Sequence, residues 1–137
     1  MSPSTQLVQQ IYADIIQGNL SKVLPVLDEN IRVEVPDSLP FGGIYHGREG
    51  YILMFSKRNW TWEALHIRPE RYFTPENGSD KIELILVTGE MEAVSSASET
   101  VFTLPFVEQW QISEGKIITL KTFFWDTAQL LDTLSGQ

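Results

Sequence analysis

The sequence has no cysteine and only two histidines, His46 and His66, which excludes disulfides and thiolate chemistry and argues against a zinc site. Basic residues are scarce, with Lys and Arg totalling 10 against 18 Asp and Glu, and the formal net charge is −8. Such a chain has no surplus of cations to neutralise phosphates, so nucleic acid is not an expected partner. Long apolar runs are also missing, since no stretch of about 18 apolar residues occurs. Met1 to Gln6 lack the basic region and apolar run of a secretory leader, so the expectations are no membrane partner and a cytoplasmic location. No glycine-rich phosphate loop, nucleophile elbow or metal-ligand spacing appears. What remains is proton-transfer chemistry without a cofactor, or simple binding.

What is present is a globular composition, 42% hydrophobic and 11% aromatic over 137 residues. That length suits one domain spanning 1–137, and no internal repeat or linker divides it. Leu7, Val8, Ile11, Tyr12, Ile15 and Ile16 recur at helical spacing, with Ser4 or Thr5 as the expected N-cap and Gly18 as the stop. A second helix opening at Asn19 is cut short or kinked by Pro25. Ile31 to Val35 alternate as a strand that ends at Pro36. Residues 37–50, rich in Gly and Pro, read as a loop, with Phe41, Ile44 and Tyr45 packing it down as a lid or rim. A third helix is expected over Arg48 to Asn59.

Four long strands follow. Glu63 to Thr74 is irregular, because Pro69 demands an edge position or a bulge. Lys81 to Glu92 follows the turn cluster at 75–80, and a connection over 93–99 leads to Thr100–Ile112 and Lys116–Asp126, joined by a tight turn at Ser113–Lys116. Residues 127–134 close the chain as a short helix. Helices segregated from a mostly antiparallel sheet define an α+β fold, and helices laid over the concave face of a curved sheet leave a cone-shaped cavity.

Alternation along the last hairpin places Glu108, Trp110 and Ile112 on one face of its first strand. On the second strand it groups Ile118, Leu120, Thr122, Phe124 and Asp126. A carboxyl among Trp110, Phe124 and Trp60 would be desolvated and suited to act as a general acid or neutral donor. The alternatives for Glu108 are an ion pair with an arginine such as Arg58 or Arg68, or exposure to solvent at the rim. For Asp126 the alternative is a helix cap, since Gln129 stands three residues on. Tyr12 either turns its hydroxyl into the cavity or packs as core. Phe55, Trp60, Trp110, Leu120, Phe124 and Tyr45 are the expected apolar lining. Glu90 and Glu92 read as solvated. The opposite face, with Ile117, Thr119, Lys121, Phe123 and Trp125, would expose aromatics on a monomer, which implies a homodimer.

Several segments, in this order, resemble one family: Gly18-Asn-Leu20, Asp28-Glu-Asn-Ile31, Leu39-Pro-Phe-Gly-Gly-Ile-Tyr-His-Gly-Arg-Glu-Gly50, Phe106-Val-Glu-Gln-Trp110, Glu114-Gly-Lys-Ile117 and Phe124-Trp-Asp-Thr-Ala128. Together they are similar to the SnoaL-like, ketosteroid-isomerase-related branch of the NTF2-like superfamily. The resemblance implies a cone-shaped α+β fold, an apolar small-molecule ligand, a dimer through the outer sheet face, and either cofactor-free isomerase or cyclase chemistry or plain binding. It implies Tyr12 and Glu108 as oxyanion donors and Asp126 as the proton-transfer group. Val35 stands where the isomerase branch keeps its catalytic aspartate, so that base is missing.

Overall fold

The computed structural model describes residues 2–75, 81–95 and 101–134, giving backbone alone for 59–65, 95, 133 and 134. The turn expected over 75–80 and much of the connection expected over 93–99 lie outside the described residues. Helix α1 spans Pro3–Ile16, and its N-cap is Ser2, whose hydroxyl accepts from the Thr5 N–H at 3.1 Å. The cap lies upstream of the expected Ser4 or Thr5 because Pro3 occupies the first helical position, where its missing N–H costs nothing. Gly18 ends the helix in the left-handed region (φ 76°), and the Asn19 N–H closes on the Asp14 carbonyl at 2.7 Å. Helix α2 (Leu20–Val23) is a single turn, and Pro25 turns the following Leu24–Val26 into a 3-10 turn.

Strand β1 covers Leu27–Val35, four residues longer at its start than the alternation suggested. A short β2, Gly43–His46, replaces part of the expected loop by pairing antiparallel with β1. Helix α3 (Gly47–Thr61) precedes β3 (Trp62–Phe73), β4 (Ile82–Ser95), β5 (Val101–Ser113), β6 (Lys116–Phe124) and α4 (Thr127–Leu134). The six strands form one sheet in the order β2-β1-β6-β5-β4-β3, antiparallel except where β1 meets β6. Tertiary pairing decides the membership of β2, because its four residues carry too little alternation to declare a strand alone.

Two of the sheet's register shifts bear on the site. At Pro69 the β3–β4 register shifts, as a residue without an N–H requires, and Gly89 lies opposite. A Cβ on Gly89 would stand 2.2 Å from the Arg68 carbonyl oxygen, so the close backbone approach at this bend requires glycine. The second shift lies between Gln111 and Ile112, where Ile112 pairs with Ile117 and Ile118 is passed over. This bulge corrects the expected face of Ile117, which is fully buried (0% exposed) and not on the outer side. Glu114 and Gly115, at φ 51° and 76°, form the expected tight turn between β5 and β6.

Helix α1 packs on β3 and β4, and α3 packs on β1, β2 and β3, so both cover one face of the sheet. The core between them holds Val8, Ile11, Tyr12, Ile85, Val87 and Trp110, all at most 2% exposed. Leu130 of α4 is buried, so the last helix docks back on the body as expected.

Candidate functional site

The register of β5 and β6 sets the site. Glu108 pairs with Thr122, Trp110 with Leu120 and Phe106 with Phe124, so all six side chains share the covered face. The Thr122 hydroxyl donates to Glu108 Oε2 at 2.7 Å, and the Tyr12 hydroxyl, reaching from α1, donates to Oε1 at 2.6 Å. Trp110 Nε1–H in turn donates to the Tyr12 oxygen at 3.1 Å, and the two rings meet edge to face. Each Glu108 oxygen thus accepts one hydroxyl proton and keeps a lone pair free. Tyr12 is 2% exposed, and burial, followed by the Glu108 charge and the hydrogen bond to it, holds its phenol well above the ordinary tyrosine range. It therefore remains a proton donor to Glu108.

Above this network lies a small cavity that opens to solvent. Its apolar wall is built by Phe41, Met54, Ile67, Met91, Phe106 and Phe124, closed by Val35. The polar groups that converge on it are Glu108, Thr122 and Arg58. Arg58 comes from α3, where Tyr51, Met54, Phe55 and Arg58 follow at helical spacing and turn one face toward the sheet. Its guanidinium carbon lies 4.2 Å from the centre of the Phe55 ring. Its Nε is buried with no hydrogen-bond partner among the described residues. Desolvation lowers the pKa of the guanidinium, opposed by the nearby Tyr51 and Glu108.

The expected site residues separate. Glu108, Tyr12 and Trp110 form one hydrogen-bonded chain, and Phe124 lines the cavity. The alternative of a Glu108 ion pair is not met: Arg68 bonds Glu92 and Glu90 on the exposed side, at 3.0 and 3.3 Å, so those two glutamates are paired as well as solvated. Asp126 accepts the Gln129 N–H at 3.0 Å and caps α4, and it does not line the cavity. Nor do Leu120, Tyr45 and Phe55. Leu120 is buried core. The Tyr45 hydroxyl donates to the Phe41 carbonyl at 2.8 Å and buckles the 37–42 turn, which holds Phe41 in the cavity wall. Phe55 packs tilted on Tyr51 with ring centres 4.9 Å apart and acts as a shelf under Arg58. The Trp60 side chain lies outside the described residues.

Sequence reading passed over Thr122 as a donor and Arg58 as a wall residue. Both carried a signal: Thr122 is the cross-strand partner of Glu108 once the turn at 114–115 fixes the register, and Arg58 is a lone charge on an apolar helical stripe.

Comparison with family models and with curated proteins found no match. Solved structures match over nearly the whole chain. An NTF2-like protein of unknown function from Burkholderia pseudomallei superposes with TM-score 0.87 at 24% identity, covering 98% of this chain and 99% of its own. The chain has the NTF2-like fold. TerC, co-crystallised with polyporic acid, matches at TM-score 0.85 and 19% identity, over 98% of this chain and 99% of its own. A candidate SnoaL-like polyketide cyclase from Jannaschia sp. matches at TM-score 0.81 and 13% identity, over 100% and 97%. The chain thus shares with these structures the curved sheet and its covering helices.

Proposed function

We propose that this NTF2-like protein binds an apolar, carbonyl-bearing small molecule in the cavity above Glu108 and shuttles a proton on it without a cofactor. The carrying observation is the Tyr12–Glu108–Thr122 network at the foot of an apolar cavity. A carboxylate fixed by two hydroxyls keeps a lone pair on each oxygen and is held in place to act on a bound C–H. With a β,γ-unsaturated carbonyl compound Glu108 takes the proton α to the carbonyl, the electron pair moves onto the carbonyl oxygen as a dienolate, and the proton returns to the γ carbon as the double bond moves into conjugation. The product is an isomer. Tyr12 and Thr122 position the carboxylate, and Asp126 contributes through the placement of α4. Co-crystallisation of TerC with polyporic acid supports a small-molecule pocket in this fold.

The test is deuterium uptake α to the carbonyl of 2-tetralone in heavy water, followed by NMR. The native protein is expected to exceed a serum-albumin control, and Glu108→Gln to lose about 100-fold of that rate. Uptake no faster than the control would overturn the proton-transfer reading.

We also infer a homodimer through the outer face of the sheet. Phe73, Ile82 and Phe123 stand there at 48%, 47% and 44% exposure, and Trp125 beyond the end of β6 at 82%. Exposed aromatic and aliphatic side chains on one sheet face are the kind of surface that a second copy would cover.

A further inference from the structure

Arg58 is a half-buried cation in the cavity wall, and one of its N–H groups lacks an acceptor. Its guanidinium carbon lies over the Phe55 ring, 4.2 Å from the ring centre, and its Nε is buried without a hydrogen-bond partner among the described residues. Glu108 borders the same cavity, yet its two oxygens take the hydroxyls of Tyr12 and Thr122, and no ion pair within 4.0 Å joins it to Arg58 among the described residues. A guanidinium in an apolar wall with no carboxylate paired to it carries a desolvation penalty, and a ligand oxygen that accepts from its N–H groups on the cavity side lowers it. A neutral apolar ligand would leave the penalty standing, whereas an anionic oxygen meets it with a charge-assisted hydrogen bond.

We propose that the cavity selects apolar ligands bearing one ionised oxygen, as a carboxylate, phenolate or enolate, and that Arg58 is the residue that binds this oxygen. The ligand's apolar body then rests against Met54, Met91 and Phe106, with its charged end at the α3 wall and a neighbouring carbon toward Glu108. This rests on the pocket reading above and narrows its substrate class.

The test compares two probes of one shape, 4-propylbenzoate and 4-propylbenzamide, by calorimetric titration at about pH 8, where the acid is fully ionised. The native protein is expected to bind the benzoate at least about tenfold more tightly than the amide. Arg58→Met keeps the apolar stem and is expected to bring the two affinities together, with the amide little changed. Arg58→Lys keeps a charge and is expected to retain part of the preference, so the proposal stays testable if the Met variant does not fold. Equal binding of both probes by the native protein, or tighter binding of the amide, overturns the role of Arg58 and leaves the pocket standing. Binding of neither probe at millimolar concentration overturns the pocket reading and this proposal together.

Discussion

Tyr12 is held from both sides of its hydroxyl, accepting from Trp110 and donating to Glu108. Its removal leaves a buried indole N–H and a carboxylate oxygen unmatched. Tyr12→Phe is expected to destabilise the protein by about 1–3 kcal/mol, measured by urea unfolding, with most of the cost in those abandoned partners. Tyr51, only 1% exposed, has its phenol pushed up chiefly by burial, as Tyr12 has. The sign of the linkage follows. Unfolded tyrosines ionise near pH 10 while the folded ones keep their protons, so ionisation stabilises only the unfolded chain. Stability is unaffected by these groups below about pH 10 and falls as pH rises beyond it. Tyr51→Phe should flatten that alkaline decline, and melting curves at pH values below and above the tyrosine range would show no difference in slope if the phenol were not buried.

At the scale of elements, bends and caps place the site more than helix propensity does. The Pro69 bulge and Gly89 curve β3 and β4 around the cavity, with no room for a side chain on Gly89. Gly89→Ala is expected to cost about 2 kcal/mol or more, because the added methyl must displace the backbone of the neighbouring strand. The cap of α4 permits a separate test of Asp126. Asp126→Ala should lose about 1 kcal/mol of stability, whereas Asp126→Asn, which still caps, should lose little. If Asp126→Asn folds normally yet stops deuterium uptake, Asp126 acts in the chemistry as well as in the cap.

At the scale of the whole molecule, the sheet has two faces with different uses. The inner one is covered by α1 and α3, which leave the cavity beside Glu108, and the outer one carries the aromatics proposed to join two copies. Phe123→Asp combined with Trp125→Ser is expected to shift sedimentation from dimer to monomer while leaving binding of the benzoate probe unchanged. Monomeric native protein at tens of micromolar would overturn the dimer. The net charge of −8 leaves the rest of the surface well solvated.

Local patterns in the sequence were enough for the α+β class, the first helix with its Gly18 stop, the β5–β6 turn and the shared face of Glu108, Trp110 and Phe124. Each is a matter of period, capping or turn chemistry acting over a few residues. The short β2 and the bulge that buries Ile117 depend on partner strands, whose register no local pattern carries. Only the tertiary structure decided that Tyr12, 96 positions from Glu108, bonds it, that Asp126 faces its own helix, and that Arg58 stands in the cavity wall. Those outcomes rest on how far α1 and α3 lie from the sheet and at what angle, which is fixed by packing of the whole core.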